Sequence, residues 1–274
     1  MTPTRPVIGF LTDFGLDGAA AICRAVILSI CRDAQIVDIC HTVGKYGIAE
    51  GAYLLRTALP WFPVGVHLAV VDPGVGTARR PIGIRTGRGD LLIGPDNGLL
   101  LPAADALGGV GEARELANRD LMLPATSATF HGRDIFAPVV AQLALAPDRF
   151  ATVGPVIETH DLERLPSVEP LASAGRIETQ VAYVDSFGNL RLAAPAATLD
   201  AAFGTSAGGT RVWVRVAGGT LDAIVARTFG SVPAGAALVY VDSSGDVAIA
   251  ISQGNLAQRI DAGVGTAVVI ETAA

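Results

Sequence analysis

Short apolar runs alternate with longer segments of helical spacing up to about residue 145, and this alternation constrains the fold more than any other feature of the sequence. Strand-like runs lie at residues 7–12, 35–40, 65–71 and 90–94, and apolar residues recur at helical spacing in 17–31, 46–59 and 134–145. Strands that alternate with helices build a mostly parallel sheet with helices on its faces. The sequence therefore predicts an N-terminal α/β domain.

The pattern changes after a charged, proline-containing stretch at residues 161–175, which has neither helical nor strand spacing and which we interpret as a linker. The segments that follow are short, β-like and separated by Gly-rich turns, at 179–184, 211–216, 237–241, 247–251 and 267–270. Regularly spaced short strands predict a small antiparallel sandwich or barrel. We therefore expect an α/β domain at residues 1–160 and a β domain at 176–274.

Composition excludes several classes of protein. The net charge is −6 and the Lys and Arg residues are scattered, so there is no basic stripe for nucleic acid. No apolar run reaches the roughly 20 residues that span a bilayer, and the start of the chain has no signal-peptide pattern, so we expect a cytoplasmic protein without a membrane partner. The three cysteines form no Cys-x-x-Cys pair and the four histidines form no cluster, so no metal site is expected.

Two runs about fifty residues apart carry the most prominent polar side chains. Asp72 and Arg79 lie in the first run, and His131 lies in the second. Asp72 follows an apolar strand, at the kind of position where ligands of open α/β sheets bind. Purely local roles are equally compatible with these residues, because Asp72 could cap a turn, Arg79 could be a solvated charge and His131 could hydrogen-bond within its loop.

Further polar residues stand at strand ends. Asp13 follows the first strand, where a carboxylate could accept from the hydroxyl pair of a ribose or could cap a helix. Asp185, Phe187 and Asn189 combine a turn with an aromatic face and an amide, although an ordinary Asx turn has the same residues. The sequence has neither a dinucleotide nor a P-loop fingerprint, and it has no serine nucleophile elbow.

Five ordered motifs resemble the S-adenosyl-L-methionine (SAM) hydrolase family, the adenosine-forming SAM hydroxide adenosyltransferases, which are related to the fluorinase and chlorinase. The motifs are LTDFG at 11–15, DPGVGT at 72–77 with Arg79, GPDNGL at 94–99, FHGRDIFAP at 130–138 and DSFGN at 185–189. They span nearly the whole chain, from near residue 7 to near residue 270.

The resemblance implies a homotrimer of two-domain subunits, each with an N-terminal α/β domain and a smaller C-terminal antiparallel β-barrel-like domain. It implies active sites between the N-terminal domain of one subunit and the C-terminal domain of its neighbour. It implies hydrolysis of SAM to adenosine and methionine, with SAM as substrate and no cofactor. It assigns catalysis to Asp72, Arg79 and His131. It assigns substrate binding, with Asp13 at the ribose and Tyr46 near the nucleoside, to Asp13, Tyr46, Phe130, Asp185, Phe187, Asn189, Ser243 and Ile251.

Differences within the resemblance are informative. In the halogenating relatives, tyrosine is the residue that resembles the family pattern at the positions of Asp72 and His131, and serine is the residue at the position of Gly132. This chain therefore resembles the hydrolytic branch. Asp242 stands where relatives often have asparagine, and Asn255 stands where a small residue is common. The alternatives are a 5′-halogenase of the same fold, a nucleoside- or SAM-binding module without turnover, and a metal-dependent phosphoesterase.

The implied reaction is attack of water or hydroxide on the ribose C5′ of SAM. Methionine leaves as a neutral thioether, so no general acid is needed, and catalysis has to make, place and desolvate the oxygen nucleophile. Arg79 could stabilise hydroxide, His131 could hold it or take its proton, and Asp72 could orient either one. The residues alone do not say which of the three receives the proton.

Overall fold

The chain forms two compact units, Met1–Leu165 and Pro166–Ala274, in the computed structural model. The structure describes residues 5–166, 168–205, 207–216 and 219–273. The boundary between the units falls inside the stretch that was interpreted as a linker, of which Ser167 lies outside the described residues. Residues of this stretch also form a short strand, Leu171–Ser173, that pairs with the strand after it, so part of the linker belongs to the second unit's sheet.

The first unit is built on one seven-stranded sheet. Its strands are β1 (Val7–Thr12), β2 (Gln35–Cys40), β3 (Val66–Val70), β4 (Pro81–Thr86), β5 (Leu91–Pro95), β6 (Val110–Glu115) and β7 (Val156–Ile157). Its helices are α1 (Ala19–Ile30), α2 (Ile48–Ala58), α3 (Leu101–Ala106) and α4 (Ala137–Leu145). The strand order is β2-β1-β3-β5-β4-β6-β7, with β2, β1, β3 and β5 parallel and β4, β6 and β7 added antiparallel. The α/β class predicted from the alternation is confirmed, and the antiparallel extension was not predicted.

Helices cover both faces of the central strands. Alternate residues of these strands point to opposite faces, so Phe10 and Leu68 pack with α1 and α4, and Leu11 and Ala69 pack with α2 and α3. Burial on both faces is the reason why these strands are continuous apolar runs in the sequence. Within the described ranges, no helix has both the length and the hydropathy to cross a membrane.

The second unit is a mixed β-barrel. Its strands are β8 (Leu171–Ser173), β9 (Arg176–Val184), β10 (Leu190–Pro195), β11 (Arg211–Val216), β12 (Gly219–Val225), β13 (Ala237–Val241), β14 (Asp246–Ile251) and β15 (Ala267–Thr272), and its helices are α5 (Ala196–Phe203) and α6 (Leu256–Ile260). Pairing of β10 with both β14 and β9 closes a ring of seven strands, and β8 adds to β9 from outside. The β-barrel prediction is confirmed, and the barrel is mixed because β12 and β13 pair in parallel while the other pairings in the ring are antiparallel.

Short helical turns complete the two units. A π-helical turn lies at Gly132–Phe136, and 3₁₀ turns lie at Leu59–Trp61, Arg119–Leu121, Pro147–Thr152, Thr159–Asp161 and Phe229–Ser231. The π-helical turn continues directly into α4, so the predicted helix at 134–145 is present but its first turn is wider than an α-helix.

A buried polar network joins the amino-terminal ends of β3 and β5. His67 Nδ1 accepts from the backbone N–H of Gly9 at 3.1 Å, so His67 Nε2 carries the proton that it donates to Asp90 Oδ1 at 3.1 Å. Arg88 and the backbone N–H of Gly65 also donate to the Asp90 carboxylate, which is completely buried. These hydrogen bonds outweigh burial and hold the pKa of Asp90 well below its usual range.

We expect Asp90→Asn to destabilise the first unit. The substitution leaves Arg88 and His67 facing a neutral group, and disruption of a buried charge pair typically costs about 3–5 kcal/mol. Chemical denaturation at neutral pH measures the loss, and Asp105→Asn, at an exposed aspartate, is the control. Because the pKa of Asp90 is lowered by folding, its contribution is present above the pKa of an unfolded aspartate, about 3.9, and decreases in more acidic solution. The difference in unfolding free energy between wild type and Asp90→Asn should therefore shrink on acidification, and a difference that grows would contradict this explanation.

Candidate functional site

Two neighbouring strands deliver carboxylates to the same edge of the first sheet. β1 and β3 are parallel neighbours with Thr12 paired to Val70, so the residues that follow them emerge together. Asp13 comes directly after β1, and Asp72 comes two residues after β3. This edge lies opposite the His67–Asp90 network, at the carboxyl ends of the strands where open α/β sheets bind ligands.

Asp72, Arg79 and His131 form one connected cluster. Arg79 Nε donates to Asp72 Oδ1 at 3.0 Å, and Arg79 Nη2 donates both to Asp72 Oδ2 and, at 3.1 Å, to His131 Nδ1. The side chains of Arg79 and Asp72 are only 7% and 5% exposed. A solvated surface arginine would be far more exposed, so the local role considered for Arg79 does not describe this structure.

The partners of His131 determine which of its ring nitrogens carries a proton. A guanidinium can only donate, so Nδ1 of His131 has to accept from Arg79, and the neutral ring carries its hydrogen on Nε2. Burial lowers the pKa of His131, and the positive charge of Arg79 lowers it further, against opposing effects of Asp72 and Asp134. The imidazole is therefore neutral at neutral pH and presents an N–H donor at Nε2.

The motif at residues 94–99 supports the Asp72 turn from behind. Asn97 Nδ2 donates to the carbonyl oxygen of Val71 at 2.9 Å, and Asp96 Oδ2 accepts from Arg80 Nη2 at 2.6 Å. Both ends of the segment from Val71 to Arg80 are thus held by the turn that follows β5. This motif serves to position Asp72 and Arg79.

A second loop is fixed beside the first by glycine and aspartate. Gly76 has a φ of +77°, and a Cβ there would lie 2.3 Å from the carbonyl oxygen of Ala128, so only glycine permits the approach of the two loops. Asp134, which is 1% exposed, accepts from the backbone N–H of Ser127 at 2.7 Å and from the guanidinium of Arg133. These contacts hold the loop that ends at His131.

The cluster lies against a cavity of about 480 Å³ in the first unit. Asp13 and Tyr46 line this cavity together with Asp72, Phe130 and His131, and Arg79 stands behind Asp72 and His131. Every site residue that the sequence analysis placed in the first domain is therefore brought to one location. The wall is completed by Phe14, Asp17, Ala19, Lys45, Val70, Val75, Thr129 and Gly132.

Asp13 and Tyr46 are linked through the backbone. Asp13 Oδ2 accepts from the N–H of Tyr46 at 3.0 Å, and Lys45 Nζ donates to the carbonyl oxygen of Asp13 at 2.8 Å. Tyr46 has a φ of +63°, which is rare for a residue with a side chain, and 72% of its surface is exposed. The carboxylate therefore holds a strained loop that presents an aromatic ring at the cavity.

The second unit contains a cavity of about 830 Å³, here called the barrel cavity, beside strands β10, β13 and β14. All five residues that the sequence analysis selected in the second domain line it, namely Asp185, Phe187, Asn189, Ser243 and Ile251. Asp185 Oδ1 also accepts from the backbone N–H groups of Phe187 and Asn189, both at 3.0 Å, so the Asx turn considered from sequence forms as well. The same residues thus form a structural turn and part of the cavity wall.

Several lining residues of the barrel cavity were not selected from the sequence: Arg191, Phe229, Tyr240, Gln253 and Gly254. Arg191 had a usable signal, because it lies two residues beyond Asn189 and strand alternation places both on one face. Asn255, noted as a departure from relatives, caps α6 by accepting from the N–H of Gln258 at 2.8 Å, and it packs against Gly188. Within the described part of the chain, no group of three or more His, Cys, Asp or Glu residues could hold a metal ion.

Comparison with known proteins identifies related chains over nearly the whole length. Residues 8–154 match the model of the SAM hydroxide adenosyltransferase N-terminal domain, and residues 179–269 match the C-terminal domain model. A protein of Salinispora tropica named (R)-S-adenosyl-L-methionine hydrolase is 46% identical over 95% of each chain. One of the same name from Thermus thermophilus is 38% identical, over 93% of this chain and 95% of its own.

More distant relatives and solved structures agree with this assignment. A fluorinase of Actinopolyspora mzabensis is 28% identical over 68% of this chain and 71% of its own. The crystal structure of an uncharacterized conserved protein from Thermotoga maritima superposes with a TM-score of 0.89 at 37% identity, covering 96% of this chain and 99% of that one.

The approach of the two loops at Gly76 can be tested by Gly76→Ala. We expect the free energy of unfolding to fall by about 1–2 kcal/mol from the left-handed backbone alone, and to fall further because the new Cβ would meet Ala128. Displacement of the loop should separate His131 from Arg79, so the pKa of His131, measured by NMR titration, should rise toward its ordinary value. Gly109→Ala is the matched control, because Gly109 has a φ of +87° with open space around its Cβ. An unchanged pKa of His131 in Gly76→Ala would contradict the proposed coupling of the loops.

Proposed function

The chain belongs to the SAM hydroxide adenosyltransferase family, and on this basis we propose that it is an enzyme that hydrolyses SAM to adenosine and L-methionine. Relatives that are 38–46% identical over most of their length are named hydrolases of (R)-SAM, so we extend the proposal to the (R) configuration at the sulfonium. The observation that carries the proposal is the buried Asp72–Arg79–His131 cluster beside the cavity that also contains Asp13.

The reaction places a specific demand on the protein. An oxygen–C5′ bond forms while the C5′–sulfur bond breaks, its electron pair goes to sulfur, and the water proton passes to solvent. The sulfonium charge is lost, and methionine leaves as a neutral thioether. The difficulty is the nucleophile, because bulk water has a pKa of about 15.7. The site has to stabilise hydroxide next to the ribose.

The Asp72–Arg79–His131 cluster supplies hydrogen-bond donors for hydroxide. Arg79 Nη1 is buried and has no hydrogen-bond partner among the described residues, and His131 Nε2 carries the hydrogen that follows from its bond with Arg79. A hydroxide ion can accept from either of these donors, and hydrogen bonds to the charged form lower the pKa of the bound water. Both oxygens of Asp72 accept from Arg79, so this carboxylate fixes the guanidinium and balances its charge. In this proposal His131 donates to the nucleophile and does not take its proton.

Asp13 and Tyr46 are proposed to hold the nucleoside. The Asp13 carboxylate suits the two hydroxyls of a ribose, and the exposed ring of Tyr46 offers a surface for stacking. Their loop is held in place by the bond between the Asp13 carboxylate and the backbone of Tyr46. Nucleoside binding and nucleophile placement then depend on two separate strand ends.

The alternative of a 5′-halogenase finds no support at Gly132. A side chain at this position would meet the ring of Phe14, because a Cβ there would lie 3.0 Å from Phe14 Cζ. The serine of the halogenating relatives would therefore need a shifted Phe14 ring. Incubation with SAM and chloride or fluoride should give adenosine and no 5′-halo-nucleoside.

Other properties stay predictions from the resemblance and the composition. We propose a homotrimer, which light scattering coupled to size-exclusion chromatography would test. We also propose cytoplasmic location and catalysis without a metal. Full activity in the presence of a chelator would exclude a metal-dependent phosphoesterase, and conversion of SAM to adenosine would exclude a binding module without turnover.

Asp72→Asn, Arg79→Lys and His131→Ala should each lower kcat by roughly 10²- to 10⁴-fold, the range typical of positioned proton-transfer and hydrogen-bonding groups. Adenosine affinity should change only a few-fold, because the three residues act on the nucleophile. Adenosine release from SAM, followed by chromatography, measures kcat, and calorimetry measures adenosine binding. Arg114→Lys is the control, since Arg114 is also paired with a carboxylate, that of Glu112, away from the cavity. Equal turnover in wild type and all three variants would refute the assignment.

The pH profile distinguishes a donor from a base at residue 131. If hydroxide is held by donors, kcat rises with pH to a plateau, and His131→Ala moves the rise to higher pH because one donor is lost. The lowered pKa of His131 puts its own titration below the ordinary 6.5, so a rise at neutral or higher pH does not come from this imidazole. A general base would give the opposite result, with the pH-dependent rise abolished in His131→Ala.

A further inference from the structure

The barrel cavity carries charges that an uncharged nucleoside does not require. Two carboxylates, those of Asp185 and Asp242, and one guanidinium, that of Arg191, lie in its wall. Among the described residues that line the cavity, Arg191 is the one Lys or Arg, and the wall has a formal net charge of −1. Adenosine has no charge to match these groups, so they point to the other end of the substrate.

Arg191 is held firmly in the wall by Asp242. Arg191 Nη1 donates to Asp242 Oδ2 at 2.6 Å, and Arg191 Nη2 lies 3.8 Å from Asp185 Oδ2. Asp242 Oδ1 accepts in addition from the backbone N–H groups of Ser244 and Asp246, at 2.8 and 3.1 Å. Asp242 is thus fully engaged and 4% exposed, while 22% of the Arg191 side chain remains exposed.

A neutral hydroxyl stands beside the three charges. Burial raises the pKa of Tyr240 to about 12, and the carboxylate of Asp185 adds to this shift. Tyr240 is therefore protonated at neutral pH and adds no charge to the wall. Ser243 contributes a second hydroxyl to the same lining. The charge pattern of the cavity depends on Arg191 and its two aspartates alone.

We infer that Arg191 binds the α-carboxylate of the methionine portion of SAM, with Asp185 on the side of the α-ammonium. The planar guanidinium matches a carboxylate, and a guanidinium fixed by Asp242 loses little side-chain freedom when the ligand binds. The ammonium, the sulfonium and the carboxylate give SAM a net charge of +1, which complements the wall. This inference rests on the proposed function, and it makes Asp242 the residue that positions Arg191.

The test compares SAM with its decarboxylated analogue, S-adenosyl-3-methylthiopropylamine, which keeps the sulfonium and the ammonium. Arg191→Gln should lower kcat/KM for SAM by roughly 10- to 100-fold, as expected for loss of a hydrogen bond to a charged group, and should change kcat/KM for the analogue less than about threefold. The loss should appear mainly in KM. Arg191→Gln combined with Asp242→Asn removes both charges and should give the same selective loss, so an unpaired Asp242 cannot account for it.

Arg215→Gln is the control, since Arg215 lies in the same barrel, is paired with Glu271 and does not line the cavity. It should leave both substrates unchanged. Equal losses for SAM and the analogue in both Arg191 variants, or no loss for SAM, would overturn the inference. Absence of adenosine from wild type would instead refute the proposed function, and calorimetric binding of the two compounds to wild type and variants would still decide the role of Arg191.

Discussion

The buried ion pair between Arg79 and Asp72 is the interaction on which the candidate site depends. Its two parallel hydrogen bonds fix the plane of the guanidinium, and that plane determines where the third donor meets His131. The same contact assigns the imidazole proton, because a donor-only group occupies Nδ1. A lysine could supply the charge, but it could not supply this geometry. The orientation of the Arg79 guanidinium, the protonation state of His131 and the charge balance of the cluster thus follow from this one ion pair.

The rest of the first unit can be understood as support for this pair. The turn after β5 fixes both ends of the segment that carries Asp72 and Arg79. Gly76 lets the second loop approach, and Asp134 holds that loop where His131 begins the helical turn. The ring of Phe136 lies under Arg79, with its centroid 5.4 Å from the guanidinium carbon, so the ion pair is shielded on its inner side. None of these groups needs to touch a substrate.

Sequence patterns predicted the parts of the molecule that local spacing determines. Continuous apolar runs located β1, β3 and β5, and the rule that ligands bind at the carboxyl ends of parallel strands located Asp13 and Asp72. The motifs that resemble the family then assigned roles to His131 and to the barrel residues. Pairings between segments that are distant in the sequence could not be predicted, because local residue spacing does not encode them. The parallel contact of β12 with β13 depends on how the chain crosses between them, and His67 lies within an apolar run, 23 residues from its partner Asp90.

The π-helical turn before α4 has a consequence for how the chain tolerates insertions and deletions. A π-turn contains one residue more than an α-helical turn, and the N–H of Ala137 bonds to the carbonyl of Gly132 across it. Deletion of a single residue between these positions would allow a regular α-helix to form. Each residue of such a helix turns the chain by about 100°, so His131 would rotate away from Arg79 while the core around α4 stayed packed. Length in this short segment is therefore as important to the site as the identity of its residues.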